Sequence, residues 1–384
     1  MSEIKNLKKA AERIKKAIKN KERIILYGDA DLDGISSVII LKEAIKNLGG
    51  QVVEIYFPDR ENEGYGLNKE ALDFLKKHAP ALLVVMDCGI GNFNEVKLAK
   101  KLGFEVVIID HHEILEKLPQ ASVIVDPKQK GEKYPFKKFA TVGIIFKLVQ
   151  VLMGEKMTKV MENNFLELAA LATIADMMPQ VSDNKEFIDK GLKNIRQTWR
   201  PGLKAFFEME PFESIGDFRQ QISKIISVLN VRDIENRLPA NFRVLTVSSS
   251  AEAKEIISLL LEKNQQRKEK IEVMLVEAEK KVSENIEEPI VFIGDPEWDL
   301  TLLSPVASII CRGYQKPTFL YKIEEKESQG AVRAPKGFDG VKAMIGCRKL
   351  LETYGGHPQA AGFRIKNENL EKFKSCLVKY FKYD

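Results

Sequence analysis

The stretch RIILYGDADLDG, residues 23–34, decides the fold class. Its first half, Arg23 to Tyr27, is a short apolar run that reads as a buried strand. The run ends in Gly28-Asp29, and three aspartates follow at alternate positions, Asp29, Asp31 and Asp33, closed by Gly34. Ile35 to Leu48 then reads as a helix, stopped by Gly49-Gly50. The same pattern recurs downstream. Val52–Phe57 predicts a strand and 67–78 a helix. Ala81–Met86 predicts a strand ending in Asp87-Cys88-Gly89, with a helix over 93–102. Glu105–Ile109 predicts a strand ending in Asp110-His111-His112. Such alternation implies an α/β fold with a mostly parallel sheet covered by helices on both faces. Ligands of these sheets collect at the carboxyl ends of the strands. Three strand ends here carry acidic or histidine side chains, so groups distant in sequence converge on one edge.

Working outward, 143–200 is helical in pattern and includes the apolar run Phe165–Ala175, which stops at Asp176-Met177-Met178-Pro179. Residues 251–286 contain no Pro or Gly, and a helix of that length, roughly 50 Å, suits a strut between domains. After Pro289 strand signals resume at Ile290–Ile293, Pro317–Tyr321 and Gly330–Arg333, with helices near 303–313 and 339–353. The expected division is a catalytic domain over 1–250, helical from about 143, a connecting helix over 251–287, and a smaller α/β domain over 288–384. The 384 residues suffice for two cores. A charged fraction of 30% with 44% hydrophobic residues argues against both disorder and a membrane protein. No apolar run approaches a spanning helix, and the lysine-rich start lacks an apolar leader, so a cytoplasmic protein away from membranes is expected. Cys88, Cys311, Cys347 and Cys376 are scattered without a CxxC spacing and read as reduced thiols. The net charge of +5 permits a polyanionic partner without requiring one.

Hard divalent cations favour carboxylate oxygens, and manganese also accepts imidazole nitrogen. Asp-x-Asp-x-Asp-Gly also opens a calcium-binding EF-hand, but that loop needs a Glu at its twelfth position, which is Ile40 here, and a helix rather than a strand before it. Of the four histidines, two stand together behind Asp110 at a strand end, and a third, His357, follows Gly355-Gly356. The elements occurring together point to a metal site.

GDADLDG, the strand-end DCG, the DHH triplet and the later Ala-Asp-Met-Met-Pro resemble, in order and spacing, the four motifs of the DHH phosphoesterase superfamily. GGHPQAAGF (355–363) resembles the signature of its DHHA1 accessory domain, and within that branch the chain is most similar to RecJ-like single-strand exonucleases. The resemblance implies a parallel-sheet DHH domain joined by a long helix to a smaller α/β DHHA1 domain. It implies two divalent ions, manganese first and magnesium as the alternative, held by Asp31, Asp33, Asp87, His111 and Asp176, with Asp29 as a sixth ligand. Asp87 would bridge the ions, Asp110 would hold the DHH turn, and His112 would face the scissile phosphate. Arg333 and the turn of Gly355, Gly356 and His357 would hold the substrate's phosphates, and Asn264 and Arg267 match a recurring family element. Two such cations would make hydroxide available near neutral pH and offset charge growing at phosphorus.

Two stretches depart from the family pattern. GAVRAP (330–335) stands where RecJ-like chains often carry Gly-Ser-x-Arg-Ser, and 230–237 lacks the usual glycine. The resemblance also leads to the expectation of a compact form, similar to archaeal RecJ-like nucleases, without the oligonucleotide-binding domain of bacterial RecJ. The leading expectation is an exonuclease on single-stranded DNA or RNA that releases mononucleotides and associates with replication or repair proteins. Competing readings are a phosphodiesterase for short oligoribonucleotides, cyclic dinucleotides or adenosine bisphosphate, and a catalytically silent replisome scaffold. The basic clusters 196–204 and 263–281 are candidates for a strand-binding groove or solvated helix faces.

Overall fold

The computed structural model describes residues 3–60, 62–114, 117–193, 195–284 and 287–383. They form two compact units, Met1–Asn264 and Gln265–Asp384.

The first unit is built on β1 (Ile24–Gly28), β2 (Val52–Tyr56), β3 (Ala81–Met86), β4 (Phe104–Ile109) and β5 (Val123–Val125). All pair in parallel, in the order β2-β1-β3-β4-β5. Both faces are covered, which is why β1 and β3 are buried at every position. Ile24 and Leu26 face a core shared with α1 (Leu7–Lys19) and α2 (Leu32–Asn47). Ile25 and Tyr27 face a second core under α3 (Lys69–Leu75) and α4 (Phe93–Lys101). The helical region adds α5 (Thr141–Met153), α6 (Lys159–Ala175), α7 (Ser182–Lys193), α8 (Pro201–Phe207) and α9 (Phe218–Leu229). A two-residue ladder of β6 (Ile234–Glu235) and β7 (Leu238–Pro239) leads to α10 (Ala240–Thr246).

The helix expected from Ile35 starts at Leu32, because the Asp31 side chain caps it by accepting from the backbone N–H of Asp33 and Gly34, each at 3.1 Å. Asp33 therefore lies in the first turn of α2, not on a loop. Gly34 is helical, and its lack of a side chain serves close packing: a Cβ there would lie 2.4 Å from the Asp29 carbonyl oxygen.

The long helix α11 spans Ser250–Ser283. Residues 285 and 286, over which it was expected to continue, lie outside the described residues. Its Ala253, Ile257 and Leu260 belong to the core of the first unit, and its Met274, Ala278 and Val282 to a core of the second. The second unit then runs β8 (Val291–Asp295), α12 (Leu300–Tyr314), β9 (Thr318–Ile323), β10 (Glu327–Arg333), α13 (Gly340–Gly346), β11 (Leu351–His357), β12 (Ala360–Lys366) and α14 (Leu370–Tyr383). Its sheet has the order β11-β12-β10-β9-β8, with only the β8–β9 pair parallel.

Several expectations are corrected here. The helix expected over 339–353 ends at Gly346, and Leu351 onward is strand. Gly355-Gly356-His357 is therefore the end of a paired edge strand instead of a turn, with Gly355 opposite Gly362 and His357 opposite Ala360. Cys347, capping α13, and Cys376 on α14 form a disulfide with Cα atoms 6.1 Å apart, because the two helices pack together; Cys88 and Cys311 are free thiols. Within the 196–204 cluster, Arg200 is 2% exposed and grips Glu43 of α2 through both Nη atoms at 2.8 Å, so it serves the core. No helix of the described residues is long and apolar enough to cross a membrane.

Glu167 of α6 is buried beside this pair and accepts from the Thr198 hydroxyl at 2.6 Å. Burial pushes its carboxyl up to about 7, against the hydrogen bond from Thr198 and the charge of Arg200. Below the ordinary glutamate range both folded and unfolded states hold the proton. As pH rises to about 7 the unfolded chain ionises first, so stability falls through that window and the loss is complete above it. Glu167→Gln should therefore match the parent in acid and exceed it above neutrality by on the order of 3 kcal/mol, read from urea unfolding at a series of pH values.

Candidate metal centre

Three strand ends of the first sheet deliver polar side chains to one edge. Asp29 follows β1, Asp87 follows β3, and Asp110-His111-His112 follows β4. Asp176 caps the C-terminus of α6. Asp29, Asp33, Asp87, Asp110 and His111 are all buried, at 2% exposure or less. His111 is the meeting point. Its Nε2 lies 3.3 Å from Asp87 Oδ1, 3.7 Å from Asp176 Oδ2 and 3.9 Å from Asp33 Oδ2. Its Nδ1 is 2.8 Å from the Phe139 carbonyl oxygen. A carbonyl only accepts, so Nδ1 carries a proton, and Nε2, directed at the three carboxylates, is the nitrogen available to ligate a metal. Phe139 is held by rings of Tyr134, Phe136 and Phe187.

The carboxylates are set from behind. Asp33 accepts from the backbone N–H of Thr141 and Val142, both at 2.7 Å, at the start of α5, where the helix dipole favours an anion. The Thr141 hydroxyl donates to Asp87 at 3.0 Å. Asp87 itself adopts a left-handed backbone, φ 62, which a non-glycine residue keeps only when its surroundings enforce it. Asp87 shares metal-binding distance with Asp33 and His111, with Asp29 and Asp31, and with Asp110 and His112; ligand atoms in each group lie within 4.8 Å of one another. This is the placement a bridging ligand needs.

Asp110 faces inward. It accepts from the backbone N–H of Ile90, His111 and His112 and lies 2.7 Å from His112 Nδ1. Burial opposes its ionisation, but His112, then His111 and the Ile90 N–H, hold its carboxyl well below the usual range. Burial also opposes charge on His112, and Asp110 overcomes it, so the imidazole is raised toward its protonated form. Asp110 thus orients the turn.

The remaining carboxylates pull the other way. Burial, then the charge of Asp31, pushes Asp33 up to about 7. Burial and the neighbouring Asp33 raise Asp87 and Asp176 well above the ordinary range. Asp176 Oδ2 is buried without a hydrogen-bond donor among the described residues. Carboxylates crowded this closely, with an imidazole nitrogen directed between them, are what a hard divalent cation stabilises, and the mixed oxygen–nitrogen donor set fits manganese or magnesium.

Arg60 and Tyr65, on the segment after β2, escaped the sequence reading. The Arg60 guanidinium donates to Asp29 at 2.7 Å and to Asp31 at 2.9 Å and stacks on Tyr65. The Tyr65 hydroxyl donates to the Asp87 carbonyl at 3.0 Å and lies 3.2 Å from His112 Nδ1. The signal was available: they follow a fourth strand end on the same edge.

In the second unit, Arg333 of β10 pairs with Ala360 of β12, which pairs with His357 of β11. Residues in one such row project from the same face, so Arg333 and His357 stand roughly 10 Å apart across a single small alanine. Arg333 donates to Ser308 Oγ at 3.0 Å and to the Val332 carbonyl at 2.8 Å, leaving three of its N–H groups. Burial lowers its pKa, and no acidic side chain pairs with it among the described residues. A half-buried guanidinium with no counter-charge among the described residues suits an anion. Asn264 is buried, 3.3 Å from Ser227 Oγ, and Arg267 is half-exposed. Lys263 and Lys281 are tied to Asp233 and Asp295.

Residues 23–173 match the DHH family, N-terminal domain. The chain is 35% identical over 381 residues to the single-stranded-DNA-specific exonuclease RecJ of Bacillus subtilis, covering 98% of this chain and 48% of that protein. It thus spans about half the length of that relative. Among solved structures, exonuclease RecJ bound to manganese is similar with a TM-score of 0.77 at 28% identity, over 100% of this chain and 96% of that one. RecJ of Thermus thermophilus in complex with Mn2+ gives 0.82 at 26% identity, over 99% of this chain and 55% of that one.

Arg60→Gln should lower the stability of the chelator-treated protein by about 1–3 kcal/mol, since Asp29 and Asp31 lose their counter-charge. Added Mn2+ should raise the melting temperature of this variant more than that of the parent.

Proposed function

The chain is a DHH-family protein of RecJ-like build, and we propose that it is a metal-dependent phosphodiesterase, an exonuclease that shortens single-stranded DNA or RNA to mononucleotides. The observation that carries this reading is the convergence of Asp33, Asp87 and Asp176 on His111 Nε2, each within 3.9 Å.

Asp31, Asp33, Asp87, His111 and Asp176, with Asp29, would hold two divalent ions, manganese or magnesium, with Asp87 shared between them. When bound, the ions supply a hydroxide nucleophile at neutral pH and neutralise charge at the attacked phosphate. The protein's own groups do the rest. The Phe139 carbonyl fixes the His111 tautomer, and the start of α5 fixes Asp33, so the ligands do not reorganise during reaction. Asp110 shifts His112 toward its protonated form beside the cluster, where the imidazole would oppose charge on a phosphate oxygen or give a proton to the leaving oxygen. Arg60, which here bridges Asp29 and Asp31, would be free to pair with a phosphate if cations took up the charge of those aspartates, and its fork matches phosphate bidentately. Arg333 and His357 offer a second phosphate a basic row of their own.

The test is product size. Purified protein with Mn2+ is given DNA and RNA strands of about 20 nucleotides, labelled at either end, beside dinucleotides. A ladder growing from one end supports the exonuclease. Turnover of dinucleotides alone replaces it with a short-substrate phosphodiesterase, and metal binding without any turnover leaves a scaffold. Asp87→Ala should cut turnover at least about a hundredfold and weaken Mn2+ binding together; a variant that keeps both refutes the bridging role.

A further inference from the structure

The end of α6 carries more than the ligand Asp176. Met177 N–H donates to the Ile174 carbonyl at 3.0 Å and Met178 N–H to the Thr173 carbonyl at 3.2 Å. This reciprocal pair closes the helix, and it places the residue after the cap in the left-handed conformation, where glycine is strongly preferred. Here that residue is Met177, at φ 54. Its side chain is 89% exposed. The strain is therefore offset by no packing, and a large apolar group is held in water. Val181 on the same loop is also 54% exposed.

The loop is firmly placed nonetheless. The buried Asn184 side chain donates to the Pro179 carbonyl at 3.0 Å and to the Lys138 carbonyl at 2.7 Å, tying 176–181 to the segment that carries Phe139. A rigid loop thus displays an apolar side chain in a disfavoured backbone conformation, one residue from a carboxylate 3.7 Å from His111. A local rule broken with no gain to the fold marks a contact made with something else.

We propose that Met177 is a specificity-determining residue that packs on the base and sugar of the nucleotide whose phosphate lies at the carboxylate cluster. This rests on the nuclease reading above. A thioether is soft and polarizable, makes favourable contact with aromatic rings, and accepts every base alike because each presents a π-face. Being uncharged, it leaves the phosphate to the cations and to Arg60. Met177 would thus favour a nucleotide carrying a base over a bare phosphodiester without reading sequence.

The experiment compares KM for strands ending in intact nucleotides with KM for strands made abasic at both ends. Met177→Gly relieves the backbone, so it should melt at the same or a higher temperature. Its preference for base-bearing ends should nevertheless fall about fivefold to tenfold. Met177→Ala, which keeps the strain, should lose the preference without the gain in melting temperature, and Met177→Leu should keep most of it. A Met177→Gly protein with the parent's preference overturns the inference. A parent that cleaves no strand at all overturns the nuclease reading, and the inference with it.

Discussion

Six aspartates and two histidines are packed at one edge of a parallel sheet, most of them out of reach of water, and that concentration of negative charge is what the rest of the first unit accommodates. Burying one carboxylate without a partner is costly; burying several side by side is more so. The structure meets part of the cost with what it has. The N-terminus of α5 serves Asp33, the Asp110 carboxylate is shared among three N–H groups and His112, and Arg60 spans Asp29 and Asp31. What remains uncompensated lies around His111, where Asp33, Asp87 and Asp176 are each pushed toward protonation. Divalent cations offset that residue of charge better than protons do, because each brings two charges and accepts several oxygens.

Much of this was legible in sequence for a physical reason. β1, β3 and β4 are strands buried on both faces, so they appear as apolar runs, broken only at Glu105, and a carboxylate directly after such a run sits at the carboxyl edge. Asp87, Asp110 and His111 could be placed together on that logic alone. Asp176 could not: it closes a helix, and only the family resemblance associated it with the others. Arg60 and Tyr65 were missed because β2 is half-exposed and the loop after it mixes Arg60 with Asp59, Glu61 and Glu63, a pattern that reads as an ordinary charged surface turn. The left-handed backbones of Asp87 and Met177 leave no trace in composition or periodicity, since the residues there are not glycine.

The second unit was harder to read. The helix expected over 339–353 follows from good helix formers near 341–346, but Leu351 onward is recruited as an edge strand by cross-strand pairing, an interaction invisible to local pattern. That same pairing turns the Gly-Gly-His motif from a turn into a strand end and brings His357 into one row with Arg333. The disulfide between Cys347 and Cys376 likewise depends on α13 meeting α14, which their spacing of 29 residues does not announce.

Asp31, Asp33, Asp87, His111 and Asp176, with Asp29, are proposed to hold a pair of cations shared through Asp87. Anomalous diffraction from crystals soaked in Mn2+ tests it most directly. The account predicts two peaks at the carboxyl edge of the first sheet, one on either side of the Asp87 carboxylate, with His111 Nε2 ligating one of them. Manganese bound elsewhere on the molecule, or a single peak that leaves Asp87 uncoordinated, would contradict it.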